Sequence, residues 1–357
     1  MKKSIIVIIV SMLLITIIPF SVSTTQIFEN TIYVDDDAPP DWYDETHVRT
    51  IQEGIDVASD GDTIFIYNGV YQPSTNIHVY KEVTIIGETK EGVIVEHETG
   101  SEDLSIRAKN VEVSTITFRN FRISNLYNYD NAIITNNVFI IDNEDYFWNP
   151  DVIYIVGEHN EISNNIMTFT GTYDGSRNPS VGIFLQCYES SVINNVITGV
   201  GAGPIALSVL DRSYWDHDLV KGKNIIEGNT FTNNRWGIHL TPTLRPGYNS
   251  RIVHNNFIGN EKNAEFIVSL PSVRDIIKKN IKRLFDTSDS SDNNIYTPTG
   301  FLFKYWDENY WDDYDGEGPK MIPGTLQSAG LFNQFFLYVF PWRSFDWHPV
   351  SVPYSIE

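Results

Sequence analysis

One asparagine returns five times in the same apolar frame, and no other feature of this chain restricts its fold so tightly. Ile134/Asn137/Phe139, Ile162/Asn165/Met167, Val192/Asn195/Ile197, Ile226/Asn229/Phe231 and Ile252/Asn255/Phe257 each place an apolar residue three before the Asn and another two after it. A sixth copy, Val113/Ile116/Phe118, has Ile where the Asn would stand. Successive Asn residues are 28, 30, 34 and 26 apart, too irregular for a single fixed unit. A second apolar row, Ile153/Ile155, Ile183/Leu185, Ile205/Leu207 and Ile238/Leu240, resolves the irregularity. The shortest legs between the two rows sum to a bare coil of 21 or 22 residues, and everything longer is insertion. Apolar residues alternating with period 2 give strands with one face inward. Short strands at a near-constant coil length stack as a solenoid that advances about 4.8 Å per coil. The pattern predicts an all-β chain folded as a right-handed single-stranded parallel β-helix.

Within such a coil the repeated Asn has a physical task. At a corner its amide can hydrogen-bond the Asn of the coils above and below, satisfying polar groups that the corner buries. Asn137, Asn165, Asn195, Asn229 and Asn255 are therefore expected to form an inward ladder. The alternative is an ordinary turn Asn in the left-handed region. Either role is structural.

Composition agrees with this architecture. Aromatics make up 13% of the chain, and β-branched and turn residues outnumber helix formers. The lone cysteine, Cys187, rules out an internal disulfide, so stability must come from core burial and backbone pairing.

Lys2-Lys3, an apolar run from Ile5 to Phe20 and the small, polar Ser21 to Thr25 read as a secretory signal peptide over residues 1–24. An uncleaved N-terminal anchor is the alternative. Leu331 to Phe340 is too short to span a bilayer. The expected location is secreted or cell-surface, with no stable membrane span after cleavage. Loss of Lys2 and Lys3 takes the net charge from -21 to -23 (-21 - 2), which repels phosphate backbones and anionic lipid and argues against a nucleic-acid partner.

Solenoid ends expose strand edges and need covers. Thr50-Ile51-Gln52-Glu53 is a capping-box start, and Ile51, Ile55 and Ala58 share one helical face before Asp60-Gly61, so a cap helix is expected at about 50–59. The parallel β-helix is expected over 31–265. An irregular, aromatic C-terminal cap region should follow over 266–357, opening with an amphipathic helix from Leu270 to Asp286.

The ends also carry a resemblance. Ile32-Tyr33-Val34-Asp35-Asp36-Asp37 with Pro39-Pro40, Arg49 to Ile55 and Gly61-Asp62-Thr63-Ile64 resemble the N-terminal cap of exported right-handed parallel β-helix repeat proteins. These belong to the NosD-like and pectin-lyase-like superfamily of prokaryotic type. Asn309 to Tyr314, Ile322-Pro323-Gly324, Pro341-Trp342 and Phe345 to Pro349 look like the tail of the same group. The resemblance implies fold and export, and it does not specify a reaction.

Insertions are where a solenoid displays function. Two adjacent coils extend one corner with Asp142 to Asp151 and Thr170 to Pro179. Tyr146, Trp148, Tyr173, Asp174 and Arg177 there combine ring faces, carboxylate and guanidinium suited to a sugar chain. Another corner carries Ser208 to Asn224, with Arg212, Tyr214, Trp215, Asp216, His217 and Asp218, beside Thr241 to Asn249. Tyr214 and Trp215 add sugar-binding candidates. Asp216-His217-Asp218 with Arg212 is the candidate catalytic set, because a carboxylate-flanked His can abstract a proton next to a uronate carboxylate. This set is similar to the Asp-Pro-His-Asp motif of mannuronan epimerases, although Trp215-Asp216 replaces Asp-Pro.

No metal site is predicted. Ca²⁺ at Asp35-Asp36-Asp37 or Asp312-Asp313-Asp315 is an option beside the ordinary reading of solvated acidic caps. Trp306, Trp311, Trp342 and Trp347 fit cap packing better than a sugar platform.

The sequence thus favours a β-helix that binds or organises extracellular polysaccharide or cell-surface glycan without catalysis. A polysaccharide lyase or epimerase acting on uronate polymers through the 208–224 loop is the alternative, and a purely structural envelope protein is a third reading.

Overall fold

The computed structural model describes residues 30–98, 102–125, 129–142, 151–171, 180–199, 204–210, 222–241, 250–270, 306–329 and 337–355. Over these the chain winds as a right-handed parallel β-helix with three rows of parallel strands, here the first, second and third sheets; the second is a separate 9-stranded sheet, and the first and third join through the last strand, Leu337–Asp346, into one of 21 strands. The first sheet starts at Thr31–Val34 and Thr63–Ile66 and ends at Arg251–Val253 and Trp306–Asp307. The second runs from Gly69–Tyr71 to Tyr310–Trp311. The third runs from Ile77–Val79 through Asp151–Glu158 and Val181–Tyr188 to Lys262–Leu270 and Lys320–Ala329.

Apolar periodicity sets the register. Ile64, Ile85, Val113, Ile134, Ile162 and Val192 pair one above another, and the column continues through Ile226 and Ile252 to Trp306. On the second sheet Phe118 stacks on Phe139 at 5.2 Å, and Phe257 stacks on Trp311 at 4.2 Å. These side chains are buried in one continuous core. Each contributes roughly 1.5–3 kcal/mol relative to exposure.

The Asn residues form a corner ladder between the first and second sheets. Asn137 donates Nδ2 to Asn165 Oδ1 at 3.2 Å, and the same bond recurs from Asn165 to Asn195, Asn195 to Asn229 and Asn229 to Asn255 at 2.9–3.0 Å. The residue before each ladder position takes positive φ, from Thr115 (62°) through Asn136, Asn164 and Asn194 (each 55°) to His254 (57°) and Glu308 (54°). The left-handed residue turns the chain, and the inward Asn amide satisfies the backbone that the turn buries. The 21-residue step from Ile116 to Asn137 is a bare coil. A second, mixed ladder follows the corner from third to first sheet: Asn160 N donates to Ser190 Oγ, Ser190 N to Asn224 Oδ1, and Asn224 Nδ2 to Ser250 Oγ.

At the start of the stack a helix spans Ile51–Val57 with Thr50 as N-cap. Glu53 N donates to Thr50 Oγ1 and Thr50 N to Glu53 Oε2, a complete capping box. Ile51 and Ile55 are buried, and the helix packs on Thr31–Val34, His47–Val48, Thr63–Ile66 and Ile77–Val79. It ends two residues short of position 59 because Ala58 is already extended.

The coil stack does not stop at residue 265. Lys262–Leu270 is a full third-sheet strand, so Leu270 closes a strand instead of opening a helix; the rest of the stretch to Asp286 lies outside the described residues. Trp306–Asp307 and Tyr310–Trp311 then add another turn in parallel register. The chain finishes with an antiparallel pair, Lys320–Ala329 against Leu337–Asp346. Trp306 and Trp311 are buried in the core, as packing residues should be. Residues 1–29, which include the expected signal peptide over 1–24, lie outside the described residues, and among the described residues no helix is long and apolar enough to cross a membrane.

Candidate functional site

All the insertion residues singled out from the sequence lie outside the described residues: Tyr146, Trp148, Tyr173, Asp174, Arg177, Arg212, Tyr214, Trp215, Asp216, His217 and Asp218. Their stems are described. Ile141 pairs with Phe169 and Asp151 with Val181, so the first two insertions leave neighbouring coils at one corner. Leu210 pairs with Thr241, which does the same for the other two. The outer surface of the third sheet lies between these corners.

Two rows of outward residues cross that surface. One reads Ser105, Ser124, Tyr154, Phe184, Ser208, His239 and Glu265 in continuous register. Tyr154 and Phe184 stack at 4.7 Å with their planes 5° apart. Serines flank this pair on both sides, so no bulky neighbour in the row fills the outer face of either ring. Beside it Asp103 pairs with Arg122, and on the next coil, where Ile153 faces Ile123, Asp151 stands one residue out of step with Arg122 and begins the run Asp151, Val181, Ile205, Trp236 and Lys262. At its far end Arg235 lies over the Trp236 ring at 4.4 Å, and Trp236 Nε1 donates to Glu265 Oε2 at 3.0 Å. Burial pushes the His239 imidazole down, with Glu265 opposing and Lys262 reinforcing, so this His is neutral near pH 7.

The opposite end is acidic. Asp103 is 4% exposed, accepts Ser124 Oγ at 2.5 Å and pairs with Arg122 Nη2 at 3.4 Å. Its other oxygen, Oδ1, is buried and has no hydrogen-bond partner. Asp151 is 7% exposed, and burial pushes its carboxyl up to about 7 against the pull of Arg122. Burial, then the Asp151 charge, also pushes the Tyr154 phenol up.

Beside this end is a cavity of about 400 Å³ lined by Gln72, Glu96, His97, Glu98, Arg119 and Asn120, among others. Only Asn120 and Phe121 separate the second-sheet strand Thr117–Arg119 from the third-sheet strand Arg122–Asn125, whereas the neighbouring coils carry longer connections there. The short turn makes a notch. Glu96 accepts Gln72 Nε2 at 2.8 Å and pairs with Arg119 at 3.6 Å, and His97 pairs with Glu102 at 2.8 Å.

For Ca²⁺, the carboxylates of Asp35, Asp36 and Asp37 can bring oxygens within 4.8 Å of one another, the one such group among the described residues. Burial raises the Asp36 carboxyl, with Asp37 and Asp35 adding to the effect. The other acidic cluster is engaged by protein cations and amides. Asn263 Nδ2 donates to Asp312 Oδ1 and Asp313 Oδ1, and Lys320 pairs with Asp313 at 2.6 Å.

Sequence reasoning passed over Asp103, Arg122, Tyr154, Phe184, Trp236 and Glu265. These residues sit on different coils with loops of unequal length between them, so no local motif marks them. The available signal was the second apolar row itself, since Tyr154 and Phe184 fall between its paired residues Ile153/Ile155 and Ile183/Leu185.

No curated protein sequence matches the chain. Among solved structures it is similar to the catalytic domain of a GH87 alpha-1,3-glucanase in complex with nigerose, with a TM-score of 0.39, 12% identity, and 68% of this chain covering 41% of that one. It is also similar to ORF18 of Geobacillus virus E2, with a TM-score of 0.32, 12% identity, and coverage of 81% and 59%. The chain thus spans less than two thirds of either structure. Residues 41–295 match the family described as "Protein of unknown function (DUF1565)". That match covers well over half of the sequence, and the chain belongs to the DUF1565 family of right-handed parallel β-helix proteins.

Proposed function

We propose that this protein binds a neutral polysaccharide along the outer surface of its third sheet. The observation that carries this reading is the stacked Tyr154–Phe184 pair bounded by Ser124 and Ser208. Aromatic rings bind sugars through the apolar C–H face of the pyranose, and the serine one coil away on either side sets a hydroxyl next to the rings. Ser, His, Asp and Glu side chains around the rings supply hydrogen-bond partners for hydroxyls. A net charge of -21 favours a neutral polymer over a uronate or phosphate polymer, which speaks against the lyase and epimerase alternative.

Tyr146, Trp148, Tyr173, Asp174 and Arg177 belong to the insertions that enter Asp151 and the Val181 strand, and they extend the binding surface in this reading. The signal-like N-terminus supports a role outside the cell, at the surface or in the matrix.

The test is affinity electrophoresis of the purified protein in gels containing laminarin, dextran, starch, xylan or galactomannan, with Tyr154→Ala and Phe184→Ala beside the parent. Retardation by at least one glycan, weakened roughly tenfold or more in both variants at unchanged circular dichroism, is expected for a central aromatic contact. Unaltered retardation in both variants would remove the groove. Absence of retardation on all five would favour the purely structural reading.

A further inference from the structure

The acidic end of the groove contains more than a binding surface needs. We propose that Asp151 and Asp103, placed on either side of Arg122, are the acid and the base of a glycoside-hydrolysing site. The inference rests on the groove binding polysaccharide and adds chemistry to it.

Three observations carry it. First, Asp151 is buried, with 7% of the residue exposed, and Asp103 Oδ1 is buried without a hydrogen-bond partner. A buried acid oxygen without a partner is costly, and a fold that keeps one beside a second buried carboxyl has a use for the pair there. Second, Arg122 lies opposite Asp103 in register, and Ile123 opposite Ile153 puts Asp151 on the coil beyond. The two carboxyls are therefore two coils apart, on the order of 10 Å at the backbone, and their side chains flank one guanidinium. Carboxyls separated by roughly 6.5–9.5 Å suit single-step inversion with a water between them. Third, the two environments differ as the two roles require. Desolvation keeps the proton on Asp151 up to about pH 7, whereas Asp103 accepts from Ser124 and Arg122 and has Oδ1 left over as an acceptor. The guanidinium between them disfavours a metal cation.

In the reaction the Asp151 proton passes to the glycosidic oxygen as the C1–O bond breaks. A water oxygen bonds to C1 while one of its protons passes to Asp103. One water is consumed, one new hydroxyl and one new reducing end appear, and proton exchange with solvent resets both carboxyls. The notch beside Arg119 and Asn120 adjoins this end and has room for a sugar ring.

The experiment incubates the full mature protein with the glycan that retards it most and follows reducing ends, with the anomer formed read by proton NMR. Expected are turnover with inverted configuration, a basic limb near pH 7, and kcat lowered at least about 10²-fold in Asp151→Asn and in Asp103→Asn, with gel retardation kept. Retardation without any reducing ends overturns the catalytic pair and leaves the groove standing. Loss of retardation as well as turnover in the parent protein overturns both. A carbon-13 titration of Asp-labelled protein, with Asp151→Asn as the assignment control, needs no glycan: an Asp151 carboxyl that titrates in the ordinary carboxylate range overturns the proposal.

Discussion

Asn309 ends the asparagine ladder by giving both its backbone N and its side-chain Nδ2 to one oxygen of Asp346, at 3.0 and 3.1 Å. Asn255 donates to Asn309 in the usual way, so the ladder passes through five asparagines and a sixth before a carboxylate closes it. A terminal amide would leave a coil end with donors still to satisfy, whereas a carboxylate only accepts. Asp346 also takes Trp311 Nε1 at 3.0 Å, which ties the ladder to the last core indole. Asp346→Ala strands these buried donors and should destabilise the protein by about 3 kcal/mol, seen as a lower urea midpoint. Asp346→Asn keeps an acceptor and should cost about 1 kcal/mol. Equal costs in the two variants would show that packing, not ladder closure, sets the effect.

In the middle of the ladder, Asn195 Oδ1 accepts from Asn165 N and Nδ2, while Asn195 Nδ2 donates to Ile162 O, Ile193 O and Asn229 Oδ1. Asn195→Ala leaves partners unsatisfied on both neighbouring coils, at a cost of roughly 2–4 kcal/mol. Asn195→Asp removes the donors and buries a charge, so it should be worse than Ala at pH 8 and closer to it at pH 4. Thermal unfolding at the two pH values decides. A solvent-facing turn Asn would show neither loss.

These residues also show what the sequence can reveal. Asn137 to Asn255 were legible because each side chain does the same job in the same apolar frame. Trp306/Asn309/Trp311 satisfies that frame too, but residues 271–305 separate it from the other copies, and its tryptophans read as tail packing. Asp346 was not legible, because it enters the ladder from an antiparallel strand with no repeat of its own. The candidate site was hidden for a related reason: Asp103, Arg122 and Asp151 become neighbours only through strand pairing across coils of unequal length. Insertions advertise themselves by composition, whereas a flat row of outward residues does not.

His254 bridges two coils, with Nδ1 to Glu227 at 2.9 Å and Nε2 to Glu308 at 2.7 Å, and Tyr354 packs edge-on against it at 5.5 Å. The hydrogen bond to Glu227 raises the imidazole above its ordinary value; burial opposes this and Glu308 adds to it. A histidine raised on folding contributes fully below its unfolded value of about 6.5, and that contribution is lost as pH rises through the folded value. The terminal coil should therefore loosen between neutral and mildly alkaline pH by well under 1 kcal/mol, because the site is partly solvated. Hydrogen exchange at Trp306 and Trp311 between pH 6 and 9 should show this in the parent and not in His254→Gln. Identical profiles in the two proteins would remove the bridge.

Asp151 gives the largest expected pH effect, with a sign that links the site to stability. Burial raises its carboxyl from 3.8 to about 7, so the folded state holds a proton that the unfolded chain has already released. Stability is unaffected by this group below about pH 4, falls as pH rises between the two values and levels off above 7. Asp151→Asn removes the titration and keeps the shape of the neutral acid. It should match the parent at pH 3.5 and exceed it by a few kcal/mol at pH 8, at about 1.4 kcal/mol for each pH unit between the unfolded and folded values. Urea unfolding at both pH values measures the difference directly. A site kept for chemistry is expected to cost stability where it works, so a more stable but inactive Asp151→Asn protein fits a catalytic Asp151. An asparagine variant less stable than the parent at pH 8 would mean that the carboxylate is satisfied in the folded state, and the case for a proton donor at this position would be lost.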